Sequence, residues 1–260
     1  MSMTKLYTVG GNLATLYNRS KALYMNYDPY NPLNLPDLTI RVKMMPGETL
    51  TALQYWSVAR VTPVQGQSDV YDVCTKGFRT GNNWTQLFVL CRSVKEVLGA
   101  NSTNVTSMLE TFGAQQQLTD VALFDTSNVT DMQAMFDYCT SLSSVPHFNT
   151  SNVTLMNSMF DGCQSLSSIP LYDTSNVTDM SNMCADCSSL SSIPLFNTTN
   201  VTNMEAAFAG CVSVQSGALA LYQQASTQTN VPAHNSTFYD CGVNTVQGAA
   251  ELAQIPNGWR

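Results

Sequence analysis

The tripeptide Asn-Val-Thr occurs at Asn104, Asn128, Asn152, Asn176 and Asn200, each 24 residues after the one before. A strict period of this size marks a chain built from stacked units, each resting on the next. It predicts a β-rich solenoid of 24-residue coils over residues 81–216. Stacking at constant period places equivalent residues above one another, so a buried position must stay apolar in every copy. One such column reads Trp84, Met108, Met132, Met156, Met180, Met204, and another reads Phe88, Phe112, Phe136, Phe160, Cys184, Phe208. A third reads Val105, Val129, Val153, Val177, Val201. These columns are the expected core. Runs such as Leu166-Ser-Ser-Ile169-Pro-Leu171 and Asn176-Val-Thr-Asp-Met180 read as brief strands, and Met-Phe-x-x-Cys as a tight helical or 3₁₀ corner. Coils would then lie about 4.8 Å apart, which gives the Trp/Met column a length of roughly 24 Å.

The polar columns need partners, because a buried polar group left unpaired costs about 1–3 kcal/mol. The asparagines read as a ladder capping backbone groups at the bend of their own or the next coil. The column Cys91, Cys139, Cys163, Cys187, Cys211, interrupted by Gln115, reads as small buried thiols without disulfides.

One full phrase runs Phe124-Asp-Thr-Ser-Asn-Val-Thr-Asp-Met132, then Met135-Phe136-Asp-Tyr-Cys139, then Leu142-Ser-Ser-Val-Pro146. It resembles the repeat of the BspA-like leucine-rich-repeat surface proteins, and the resemblance extends over the repeats and the C-terminal segment that follows them. The resemblance implies a right-handed leucine-rich-repeat fold. It also implies a role in adhesion or partner recognition, on bacterial surfaces or in phage-encoded structural proteins of gut communities, with no catalytic residues. The first 80 or so residues lie outside it.

Around the repeats the sequence divides into an N-terminal arm and small β-rich capping domain at 1–80 and a helical C-terminal cap at 217–260. The arm carries Tyr7, Tyr17, Tyr24, Tyr27 and Tyr30, and short alternating runs at 38–44, 50–56, 58–64 and 69–74 read as antiparallel strands. Residues 218–225 and 248–254 read as two short helices. No charged segment followed by an apolar one opens the chain, and no apolar run reaches 18 residues. A secretory signal and a membrane span are therefore not expected. The expected setting is extracellular, on a cell surface or a virion.

Charge is split unevenly. Of the residues in 1–95, ten are basic and five acidic; in 96–260 one is basic, Arg260, and thirteen are acidic. A surface so poor in cations repels phosphate backbones, which argues against nucleic acid as a partner of the repeats.

Catalytic constellations are missing from the sequence. There are two histidines, His147 and His234, and no nucleophile-elbow, zinc-protease or phosphate-loop motif. Cys184 and Cys187 form a Cys-x-x-Cys pair, but they fall in the Phe and Cys columns and no second pair accompanies them, so neither zinc nor a disulfide is expected. Asp125, Asp173, Asp131 and Asp179 alternate with Asn149, Asn197 and Asn203, a pattern that fits turn capping better than calcium, for which the glycine-rich loop is absent. Neither cofactor nor metal is expected.

The expected function is a non-enzymatic recognition module for a protein or glycan on a cell surface, as a bacterial adhesin or a phage receptor-binding component. The alternative is a structural virion or surface-layer protein that assembles with copies of itself. The candidate contact residues follow the proline of each coil: Phe124, His147, Phe148, Leu171, Tyr172, Leu195 and Phe196. Two readings of this set stand side by side, one with all seven on a binding face and one with the four aromatics as a further core column.

Overall fold

The computed structural model describes residues 4–9, 12–16, 33, 35–50, 59–76, 82–88 and 91–260. Most of the tyrosine-rich arm and most of the run expected as a strand at 50–56 lie outside the described residues. Strand β1 (Thr4–Val9) pairs antiparallel with β2 (Asn12–Leu16). A five-stranded mixed sheet contains β3 (Thr39–Met44), β4 (Arg60–Pro63), β5 (Val70–Cys74), β6 (Val94–Asn101) and β7 (Asp120–Val121), in the order β4-β5-β3-β6-β7. Only the β6–β7 pairing is parallel.

Alternation builds β3. Ile40, Val42 and Met44 are buried, while Arg41 and Lys43 point to the other face. There Arg41 lies opposite Asp72 in β5 and forms two bonds to its carboxylate, at 2.6 and 2.8 Å. Lys43 lies opposite Glu96 in β6, with Nζ 3.0 Å from Oε1. Such cross-strand pairs reinforce a register that the buried face already sets. The sheet also crosses the expected division at residue 80, since β6 and β7 come from the repeat side and β3 to β5 from the N-terminal side.

This is not the β-rich leucine-rich-repeat solenoid that the period and the resemblance imply. Among the described residues, strands are confined to the open mixed sheet and the β1–β2 pair, and the helices are two short ones, α1 (Ala218–Ser226) and α2 (Val246–Leu252). The phrases from 124 to 200 contain no strand. They are joined by single-residue parallel bridges, Ser107 to Asp131, Asp131 to Leu155, Leu155 to Asp179 and Asp179 to Asn203.

The physical reason is local. Pro146, Pro170 and Pro194 remove a donor from each would-be ladder. The Asn-Val-Thr segment closes a tight turn, as in Val153 N–H to Thr150 O at 2.9 Å. The expected helical corner is a run of turns, with Met135 N–H bonded to Met132 O, Asp137 N–H to Ala134 O and Cys139 N–H to Phe136 O. Within it Ala134 and Tyr138 have φ of 49° and 52°, and the pattern recurs at Ser158, Asn182 and Ala206. Positive φ at non-glycine residues is unfavourable and prevents the turns from continuing as a helix.

Alternate amides of the same run are left free to reach the following copy. Met132, Ala134, Phe136 and Tyr138 donate to the carbonyls of Leu155, Asn157, Met159 and Asp161 at 2.7–3.0 Å. Gly162 takes the place of Tyr138 one copy on, at φ 68°, and a Cβ there would lie 2.9 Å from the Tyr138 ring. Packing completes the stack. The Trp/Met column is fully buried from Trp84 to Met204, and the rings of Phe88, Phe112, Phe136 and Phe160 stack with centroids 5.3–5.8 Å apart. Cys184 interrupts the ring stack, which resumes as Phe208, Phe238 and Trp259 at 6.1 and 6.3 Å.

Candidate recognition surface

In each copy the two residues after Ala122, Pro146, Pro170 or Pro194 alternate in and out. Phe124, Phe148, Tyr172 and Phe196 are at most 2% exposed, so these four members of the candidate face are core and not contact residues. Phe124 packs on Phe148 with centroids 5.1 Å apart, and Tyr172 lies against Phe160 at 6.4 Å. The Tyr172 hydroxyl donates to Pro146 O at 3.1 Å, and burial pushes its pKa well up. Aromatic rings fill space beside the Phe column, which is why they turn inward.

Their neighbours turn outward. Leu171 is 57% exposed and Leu195 52%, and His147 is exposed beside buried Phe148. Leu123, outside the candidate set but in the same column, is 37% exposed. His147 Nε2 lies 3.0 Å from Leu171 O, 24 residues on, and its ring is tilted against Tyr172 at 5.9 Å. The structure therefore splits the seven candidates and leaves His147, Leu171 and Leu195, extended by Leu123, as an apolar row along the stack. Tyr138 and Tyr239, 50% and 55% exposed, lie elsewhere, in the turn runs.

Beside the row stand the Asp/Asn columns, and their chemistry is turn capping. Asp125 Oδ1 accepts from Ser127 N–H at 2.9 Å, Asn149 Oδ1 from Ser151 N–H at 3.1 Å and Asp173 Oδ1 from Ser175 N–H at 3.0 Å. Asp131, Asp179 and Asn203 cap in the same way. An acceptor oxygen two residues upstream suffices, so Asp and Asn interchange. The bonds from Ser175 hold the Asp173 carboxyl below its ordinary pKa. No group of three His, Cys, Asp or Glu side chains among the described residues is arranged to hold a metal ion.

The asparagine ladder bonds backward, to the preceding copy, rather than to its own or the next one. Asn128, Asn152, Asn176 and Asn200 donate through Nδ2 to the carbonyls of Thr103, Ser127, Ser151 and Ser175 at 2.6–2.7 Å. Thiols follow the same logic, with Cys139, Cys163 and Cys187 donating to Phe112 O, Phe136 O and Phe160 O at 3.1–3.2 Å. Gln115 substitutes for a thiol because its longer amide reaches Phe88 O at 3.0 Å and also Cys91 O. All eight cysteines are free, Cys74 is half-buried and the others are buried. Burial raises the pKa of the Cys139, Cys163 and Cys211 thiols, and that of Cys241 to about 12, so their reactive thiolates are suppressed. A thiol reagent is expected to modify Cys74 alone in the native protein and all eight cysteines after denaturation without reductant; three or more unreactive thiols in the denatured chain would contradict this bonding.

One carboxylate line has no such partners. Asp137 and Asp161 are half-buried in successive turn runs, and Asp137 Oδ1 is buried without a hydrogen-bond partner among the described residues. Desolvation, then repulsion from Asp161 and Glu110, raises the Asp137 pKa to about 6. Desolvation and repulsion from Asp186 raise Asp161 to about 6 as well. Sequence reading missed this pair, although its signal was present in two acidic residues set 24 apart with no basic residue near them in the chain.

No helix among the described residues is long and apolar enough to cross a membrane. No curated protein and no solved structure matches this chain. Residues 103–222 match the family described as Mycoplasma protein of unknown function, DUF285.

Proposed function

We propose that this chain is a non-enzymatic recognition module that binds a protein or glycan on a cell surface, as a bacterial adhesin or a phage receptor-binding component. The observation that carries the reading is the outward row Leu123, His147, Leu171 and Leu195, aligned on successive copies and set on buried aromatics that fix its position. Exposed apolar side chains in a contiguous line on an otherwise polar surface are the usual anchors of an interface. The resemblance of the repeated phrase to BspA-like surface proteins supports the same reading. The groups most capable of chemistry have structural employment: thiols bond carbonyls and the Asp/Asn columns cap turns.

The test replaces His147, Leu171 and Leu195 together with serine. Far-UV circular dichroism and Tm are expected to stay near wild type, because these side chains project away from the core. Binding to intact bacterial cells and to an array of surface polysaccharides is expected to fall by about tenfold or more. A folded variant that binds as wild type does would remove the row from recognition.

A further inference from the structure

The ladder asparagines are tied down at both atoms through which an asparagine can modify itself. Loss of ammonia begins when the backbone nitrogen of the next residue attacks the side-chain carbonyl carbon, so that nitrogen must be free and the side-chain amide must be able to leave. In Asn128, Asn152, Asn176 and Asn200, Nδ2 donates to a carbonyl of the preceding copy at 2.6–2.7 Å. The N–H of the valine that follows each one donates to a threonine carbonyl at 2.9–3.1 Å. Valine also crowds the approach with a branched Cβ.

Asn257 is the opposite case. It is the one asparagine in the sequence followed by glycine. Both residues are exposed, and neither Asn257 Nδ2 nor Gly258 N–H has a hydrogen-bond partner among the described residues. Glycine has no Cβ to obstruct the attack. Two side chains stand at the reacting atoms. Arg260 donates from Nε and Nη2 to Asn257 Oδ1 at 3.0 and 2.8 Å, and its Nη1 is anchored on Leu252 O at 3.1 Å. Its guanidinium draws electrons from the carbonyl carbon and stabilises the oxyanion that forms on attack. His234 Nε2 lies 3.9 Å from the position a Cβ on Gly258 would take, and no other atom outside the adjacent residues comes within 4 Å of that point. His234 Nδ1 is 2.7 Å from Pro232 O, a group that can only accept. Nδ1 therefore carries the proton of the neutral ring and Nε2 keeps its lone pair.

We propose that Asn257 is a site of self-modification, where the chain converts its own asparagine to aspartate and isoaspartate and thereby loosens the C-terminal end of the stack. Gly258 N bonds to Asn257 Cγ; its proton passes to His234 Nε2, directly or through one water, and on to Nδ2, which departs as ammonia. The product is a five-membered imide joining the two residues. Water then opens the ring. Attack at Cγ leaves aspartate, while attack at the backbone carbonyl leaves isoaspartate, whose main chain runs through Cβ and is one atom longer. One water is consumed and one ammonia released, with no oxidant or reductant. The longer chain acts on Trp259, whose carbonyl accepts from Phe238 N–H at 2.7 Å and whose ring packs on His234 and Tyr222 at 4.1 and 5.4 Å.

Mass spectrometry of peptides from the full chain, digested after storage of the folded protein in mildly alkaline buffer, tests the proposal. Conversion is expected at Asn257 ahead of every other asparagine. Arg260→Gln and His234→Phe, the latter keeping a ring against Trp259, are each expected to slow it by about tenfold. Gly258→Ala, for which the structure has room, is expected to slow it while circular dichroism stays as in wild type. Isoaspartyl protein separated by ion exchange is expected to melt below wild type, and Asn257→Asp, which has the charge without the added backbone atom, is expected to melt as wild type does. An intact Asn257, earlier conversion at another asparagine, a wild-type rate in Arg260→Gln or His234→Phe, or a wild-type Tm for the isoaspartyl form would each overturn the proposal.

Discussion

Met156→Asp is expected to abolish the folded stack. Met156 is fully buried in a column bounded by Met132 and Met180, whose side chains offer no hydrogen-bond donor. The chain has no Lys or Arg between residues 96 and 259 that could relax toward a new carboxylate. An aspartate there either ionises unpaired or binds a proton and remains poorly bonded. The cost is about 3–5 kcal/mol, a large share of the 5–15 kcal/mol that holds a typical domain together. Met156→Leu, close in volume, is expected to cost less than about 1.5 kcal/mol. Circular dichroism and thermal melting check both, and an unchanged Tm for the aspartate variant would show that the column is not core.

The second large effect is a loss of stability as pH rises from about 4 to about 6. Asp137 and Asp161 have pKa values of about 6 in the folded chain, against an ordinary value of 3.8. The folded state therefore holds more protons than the unfolded state across this window, and linkage makes stability fall with rising pH. Below about pH 4 both states are protonated and the penalty is absent; above about pH 6 it is fully present. Both carboxyls are half-solvated, so screening reduces the penalty to about 1 kcal/mol each. Asp137→Asn with Asp161→Asn is expected to raise Tm at pH 7.5 by about 5 °C and to flatten the profile between pH 4 and 6. The opposite slope belongs to groups such as Asp173, whose lowered pKa makes its contribution disappear as acid is added. Equal melting profiles for variant and wild type would show that the carboxylate line carries no uncompensated charge.

The columns were legible in the sequence because a buried position tolerates few side chains, and Met108 to Met204 or Val105 to Val201 repeat with the period itself. The local backbone was not legible. Ala134, Ser158 and Tyr138 adopt positive φ without being glycine or asparagine, the residues that usually signal it. The amides that pay this conformational cost bond to residues 23 positions further on, which no local pattern records. Hence the expected strands and helical corner proved to be turns and single bridges. Strand β6 was hidden for another reason: Val94 and Val97 stand 24 residues before apolar Leu118 and Val121, as members of repeat columns would, yet they join β3 of the N-terminal sheet. In the candidate face, a period of two places Phe124, Phe148, Tyr172 and Phe196 on the side opposite Leu123, His147, Leu171 and Leu195. It does not say which side is the interior; ring size decides that.

The bonds between copies of the phrase also set how the chain responds to tension. Those along the turn runs, the asparagines and the thiols join residues 23 to 27 apart, and no disulfide bridges more distant copies. A load applied at the two ends is therefore resisted by one junction at a time. Each copy that detaches frees 24 residues, about 80 Å of extended chain, while the copies behind it keep their contacts. As a tether, the protein yields in increments and continues to hold.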